Sequence, residues 1–193
     1  MTTPVDSNRP LFVPVILGTG REGRRSEPVA HFVFTEVQKR GEIETELIDI
    51  RSLAIHITGP TDELKDPVFA AKMMRADALI LVAPEYNHGY PGLLKHVLDM
   101  NLEEYIHKAV GICGVSAGAF GGARMIENLL PVLRELGLTT IFTDVNFGNA
   151  RKLFDENGQL LDQSYVRRVG RFLDELIWMA RVLRHGRKNV PPV

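Results

Sequence analysis

Ala78-Leu79-Ile80-Leu81-Val82-Ala83 is an unbroken apolar run between Asp77 and Pro84. A strand with no polar alternation needs cover on both faces, which is the situation of a parallel strand layered between helices. The rest of the chain supplies the cover. Apolar, strand-like segments at 11–17, 43–50, 109–115 and 140–145 alternate with segments of helical period at 28–40, 66–76, 93–100 and 123–136. A long amphipathic helix then carries Tyr165, Val169, Phe172, Leu173, Leu176, Ile177, Ala180 and Leu183 on one face. This βαβαβ order specifies a doubly wound α/β sheet with right-handed crossovers. Two prolines resist the pattern: Pro14 removes a ladder donor from a strand that should be central, and Pro131 invites a kink in a helix. The regular part of the first strand is therefore expected to begin near Val15.

At 193 residues the chain suits one domain able to bury a core without disulfide or metal, with residues 1–10 and 186–193 as expected flexible tails. The formal charge of −1 gives no bulk electrostatic signal for nucleic acid or membrane. The basic segment from Arg181 to Val193 reads as a solvated, frayed end. Cys113 cannot pair internally and lies among Val110, Ile112 and Val115, so it reads as a small core residue. The N-terminus lacks a basic start followed by an apolar core, which makes the cytoplasm the expected location.

Ligands of open parallel sheets sit just beyond the carboxyl ends of strands. Pro84-Glu85-Tyr86-Asn87-His88-Gly89-Tyr90-Pro91-Gly92 follows the central run directly, and it combines close backbone approach, aromatic faces and an amide that donates and accepts. Pro84, Glu85, Tyr86 and Asn87, then Gly89, Pro91-Gly92 and Leu94-Lys95, resemble the PEYN loop of the NAD(P)H-dependent FMN reductases, a family that includes quinone, azo-dye and chromate reductases. The resemblance implies a flavodoxin-like five-stranded parallel sheet of order 2-1-3-4-5 with helices on both faces. It also implies FMN as cofactor, NAD(P)H as co-substrate, a small-molecule electron acceptor, and a homodimer or homotetramer whose partner completes the pocket. The long connection 51–67 is the segment expected to contribute there.

Gly18-Thr19-Gly20-Arg21-Glu22-Gly23-Arg24-Arg25-Ser26 links the first strand to a helix with Pro28 in its first turn. Free backbone N–H groups, the hydroxyls of Thr19 and Ser26 and the guanidinium groups of Arg21 and Arg24 make an anion cradle. The loop also matches G-x-G-x-x-G, with Asp49 near the distance of a ribose-binding acid. A dinucleotide-binding loop needs no clustered arginines, however, and a terminal phosphate monoester accounts for them better than a pyrophosphate. The segment resembles the family's phosphate loop in a longer variant with a second arginine.

Gly114 to Ala123 follows the fourth strand and is rich in glycine, so its N–H groups can face one ligand edge. By resemblance Ser116, Ala117 and Gly118 close on the pyrimidine end of the flavin, while Gly121 and Gly122 suit a packing role. No P-loop, HExxH or GxSxG motif occurs, and the histidines show no metal-ligand spacing. His88 reads as a partly exposed loop residue. Glu85 reads as a backbone contributor, because a carboxylate facing a flavin would oppose the charge of its reduced form. Hydride chemistry belongs to the cofactor, so no catalytic side chain is assigned. An electron-carrier flavodoxin or a flavin-free regulatory protein would share this fold, although such carriers are typically strongly acidic and this chain is nearly neutral.

Overall fold

The computed structural model describes residues 9–56, 58–59 and 64–190. The elements run β1 (Leu11–Phe12), β2 (Val15–Leu17), α1 (Ser26–Gln38), β3 (Ile43–Glu44), β4 (Leu47–Asp49), α2 (Pro67–Arg75), β5 (Ala78–Pro84), α3 (Gly92–Asp99), β6 (Lys108–Val115), α4 (Ala123–Glu135), β7 (Leu138–Thr140), β8 (Val145–Phe147) and α5 (Ser164–Asn189). The main sheet is ordered β4-β2-β5-β6-β7, with β8 also on β6. All these strand pairings are parallel. With the short pair β1 and β3 counted as the starts of the first and second strands, the order is the expected 2-1-3-4-5, in a doubly wound flavodoxin-like sheet.

Alternation along β5 shows why its run is apolar throughout. Ala78, Ile80 and Val82 face one core, built with α1 and α5 through Val29, Val33, Val169 and Phe172. Leu79, Leu81 and Ala83 face the other, built with α2, α3 and α4 through Phe69, Leu94, Met125 and Leu129. Cys113 is fully buried in the first core, and burial pushes its thiol up, away from reactivity.

Pro14 splits the first strand as its missing donor requires, so β2 begins at Val15. The Pro14 carbonyl still accepts from Ile80 N at 3.0 Å. Pro131 is accommodated inside α4, on its exposed side. Other boundaries differ from expectation. The fifth strand is not one segment over 140–145 but two, β7 and β8, with the Phe142 side chain between them 94% exposed. The basic C-terminal segment is no frayed end: α5 continues through Asn189, because Arg184 and Arg187 are anchored on Asp77 at 3.5 and 3.2 Å. Residues 1–8 and 191–193 of the expected tails lie outside the described residues, as do Ile57 and 60–63 of the 51–67 connection. What is described of that connection is tied down, with Asp66 accepting from Ala54 N at 2.8 Å and capping α2 through Phe69 N at 2.7 Å.

Candidate flavin site

In register, Leu17 lies beside Val82, Pro84 beside Val115 and Val115 beside Phe147. The loops that leave β2, β5, β6 and β8 therefore start at one edge of the sheet. They enclose a cleft of about 330 Å³ lined by Arg21, Gly23, Arg24, Arg25, Pro84, Glu85, Tyr86, Val115, Ser116, Ala117 and Arg151. All three expected segments meet there.

The first loop is closed by Arg24, whose side chain is 1% exposed. Its guanidinium donates to Asp49 Oδ1 at 2.9 Å, to Asp49 Oδ2, to the Thr19 carbonyl, and through Nε to Glu27 at 3.3 Å. A guanidinium has five N–H donors, so one remains. Asp49, the candidate ribose acid of the dinucleotide reading, is thus spent on the loop's own arginine and on Arg51, whose Nη2 donates at 3.0 Å. Burial pushes the Asp49 carboxyl up, but the hydrogen bonds from Arg24 and Arg51 outweigh it and hold the group well below the usual carboxylate range. Arg24 itself is raised by the hydrogen bond to Asp49, so the pair stays ionised.

Ser26 opens α1 and is fully buried, and its Oγ has no hydrogen-bond partner among the described residues. A buried hydroxyl left unmatched at a helix N-terminus is what a phosphate oxygen would satisfy. Arg21 is exposed and lies over the Tyr86 ring at 4.5 Å. Thr19 is buried, with its Oγ1 3.0 Å from the Tyr86 hydroxyl, so the first two loops are fastened to each other.

The PEYN segment is a two-residue hairpin. Tyr86 and Gly89 exchange two backbone hydrogen bonds of 2.9 Å around Asn87 and His88, which stand at φ 49° and 70°. Positive φ at both central residues defines the type I′ turn, and Asn and His tolerate it better than most residues. Asn87 and His88 are both exposed. The turn is clamped from α4, where Arg124 Nε donates to Glu85 Oε1 at 2.7 Å and Asn128 Nδ2 donates to the His88 carbonyl at 2.8 Å. Glu85 Oε1 is thus held by Arg124, Oε2 is buried without a partner among the described residues, and the backbone N–H is used on the Val115 carbonyl at 2.9 Å.

The Ser116 loop rests on a segment that sequence reasoning did not single out. Ser116 N donates to the Phe147 carbonyl at 3.1 Å, Asn149 N to the Gly118 carbonyl at 2.8 Å and Ala150 N to the Ser116 carbonyl at 3.0 Å. Phe147 stacks on Tyr165 of α5 at 4.7 Å, which fixes this support against the long helix. Asn149, at φ 51°, turns the chain into a short 3-10 turn that presents Arg151 to the cleft. The signal was an arginine shortly after a strand ending at the ligand edge, but it lies in no motif. Gly121 and Gly122 fill the packing role expected of them: a Cβ on Gly121 would stand 2.6 Å from the Asn146 carbonyl carbon, and one on Gly122 2.8 Å from Val115 N. Gly118 has open space around its Cβ position.

The cleft thus presents Arg21, Arg25 and Arg151, none of them ion-paired among the described residues, while the carboxylate on its lining, Glu85, is paired with Arg124.

A match to NADPH-dependent FMN reductases spans residues 13–152. The chain belongs to that family. The matched span contains every loop of the cleft, including Arg151. An FMN-dependent NADPH-azoreductase of Staphylococcus aureus is 28% identical over 174 residues, covering 84% of this chain and 92% of the relative. The NADH:(hydroxy)cinnamate reductase subunit CrdA of Vibrio ruber is 25% identical, covering 87% and 86% respectively. Among solved structures, the NAD(P)H:acceptor oxidoreductase FerB of Paracoccus denitrificans superposes with a TM-score of 0.69 at 19% identity, over 88% of this chain and 97% of FerB. A short-chain flavodoxin matches with a TM-score of 0.55 at 16% identity, over 89% of this chain and 99% of the flavodoxin, so the fold is common to enzymes and carriers. Family membership makes this chain an FMN-dependent NAD(P)H oxidoreductase. Among the described residues no helix is long and apolar enough to cross a membrane.

Proposed function

We propose that FMN is held with its phosphate on the Thr19 to Ser26 loop and its ring between Pro84 to Asn87 and Ser116 to Gly118, and that the protein reduces small quinones, azo compounds, metal oxyanions or free flavin in that cleft. The observation that carries this reading is the convergence of four loops on one basic cleft, with Ser26 Oγ buried and unpartnered in the first of those loops although it does not itself line the cleft. Bound flavin would supply the chemistry, accepting hydride from NAD(P)H and passing electrons to the acceptor. The chain's residues supply position and charge. Arg21 is the phosphate ligand free to move onto its target, since it makes no ion pair among the described residues. Thr19 and Ser26 offer hydroxyls, and Arg24 shapes the loop while keeping one N–H for the same phosphate. Arg151 stands beside the Ser116 loop as a fixed positive charge toward the ring. Glu85 is kept away from the ring by Arg124.

Arg21→Ala is expected to weaken FMN binding by about 1.5–3 kcal/mol, roughly 10- to 100-fold, the range for a hydrogen bond to a charged group. Folding should survive because the side chain is exposed on a loop. Fluorescence titration of the apoprotein checks this, and unchanged affinity would move the phosphate elsewhere. The flavin released by acid should be FMN rather than FAD, whose phosphates lack the terminal dianion this loop suits.

Nucleotide and acceptor would both stack on the one exposed face of the ring, so they occupy the same place in turn. Steady-state kinetics with NAD(P)H and a quinone should be ping-pong, and NAD(P)H alone should bleach the flavin anaerobically. Intersecting initial-rate lines would require two separate sites. A homodimer or homotetramer in the cytoplasm, where reduced nicotinamide nucleotides are regenerated, completes the reading. Light scattering at working concentration tests the assembly.

A further inference from the structure

The opposite end of the sheet from the cleft carries a charge imbalance that the redox reading does not use. Asp77 precedes β5 and Lys108 opens β6, and a pocket of about 220 Å³ lies against them. Asp77 is 1% exposed and accepts from Arg9 at 2.7 Å, Arg187 at 3.2 Å and Arg184 at 3.5 Å, as well as from Phe12 N at 3.1 Å. These three arginines come from the start of the described chain and from α5, and each is about four-fifths buried. Lys108 is 4% exposed, with Nζ donating to the carbonyls of Met73 at 2.5 Å and Met74 at 2.8 Å, which leaves its third N–H uncommitted.

Four largely buried cations thus share one carboxylate. The remaining charged residues on the pocket do not restore balance: Arg75 is paired with Glu44, Lys188 adds positive charge, and Glu103 is exposed. Glu104, near Lys108, is committed to Lys65. The three guanidinium groups also donate to the carbonyls of Pro10, Arg75, Arg9 and His107, but one carboxylate leaves their charge in excess, which burial makes costly, and a pocket of this size beside them has room for a further counter-charge.

We propose that this pocket binds a tetrahedral dianion, as in phosphate or a phosphate monoester, between Lys108 and the guanidinium groups of Arg9, Arg184 and Arg187. The bound anion holds the chain before β1 and the last turns of α5 against the bottom of the sheet. This site is separate from the flavin cleft and does not depend on the reading of it. Burial and the neighbouring Arg187 push Lys108 down to about 7, so the ammonium form is lost as pH rises through that value. Anion affinity falls with it.

Sulfate is the suitable probe because its charge does not change between pH 6 and 9. Calorimetric titration of sodium sulfate into FMN-saturated protein, with sodium chloride at matched ionic strength as reference, should show one saturable site at pH 6 whose affinity drops at least several-fold by pH 8.5. Arg184→Gln, which keeps a polar side chain at that position of α5, should weaken it about 10-fold while flavin content stays the same. Lys108→Met should abolish the pH dependence, and if that variant fails to fold, the wild-type pH profile with Arg184→Gln decides the matter. No saturable heat at pH 6, equal affinity at both pH values, or equal affinity in Arg184→Gln would each overturn the proposal.

Discussion

Asp49→Ala is expected to lower the unfolding free energy by about 3 kcal/mol and to release most of the bound FMN. Removing one partner of a buried ion pair strands the other charge, at a typical cost of about 3–5 kcal/mol. Here the stranded group is the Arg24 guanidinium, 1% exposed, whereas the Asp49 side chain is 28% exposed. Water reaching the vacated position, and the remaining contact to Glu27, place the effect at the lower end. The loop from Thr19 to Ser26 would lose its brace at the same time, because the guanidinium that holds the Thr19 carbonyl is oriented by Asp49. Chemical denaturation of the apoprotein measures the first effect and flavin titration the second. A double variant, Arg24→Met with Asp49→Leu, should regain much of the stability but not the FMN affinity. The wild-type pair also gives stability a pH dependence. Its depressed carboxyl contributes fully above the unfolded value of about 4 and progressively less as pH falls below that.

Gly121→Ala should destabilise the fold by about 3 kcal/mol and impair flavin binding, through two effects that add. The residue stands at φ 60°, where a side chain costs about 1 kcal/mol or more. Its new Cβ would lie within 2.6–2.8 Å of Asn146 and the Phe147 backbone nitrogen, and overpacking against backbone costs about 1–3 kcal/mol. The wedge would part the Ser116 loop from the Asn149 turn, so Arg151 would lose its position together with Ser116 and Gly118. Gly118→Ala is the contrast: no atom lies within 4 Å of its Cβ position, and its thermal stability should be unchanged. Equal Tm values for the two variants would show that the close approach at Gly121 is not structural.

Much of this was legible because it rests on short-range pattern. The six-residue run at Ala78 read correctly as a strand covered on both faces, and from it followed the parallel sheet, the ligand edge and the meeting of three loops there. What escaped depended on contacts between distant positions. Nothing in the spacing of Arg24 and Asp49 shows that the two side chains pair and brace the loop between them. Arg151 belongs to no motif and reaches the cleft only because Asn149 turns the chain. The fifth strand looked continuous through Ile141 and Phe142 because apolar residues suggest burial, yet Phe142 is almost wholly exposed while Ile141 packs in the core. The basic end of the chain read as a loose tail because its counter-charge, Asp77, lies some hundred residues upstream.

The broken outer strands have a bearing on how copies of this chain can meet. On one side the sheet ends in β3 and β4, of two and three residues, and on the other in β7 and β8, of three residues each. A long, flat outer strand offers unpaired N–H and C=O groups in register, a template on which another molecule can extend the sheet into fibrillar aggregates. Interruptions this frequent deny that template on both sides. Self-association is thereby steered away from strand addition toward helix and loop surfaces, where side-chain shape rather than repeating backbone decides which partner fits.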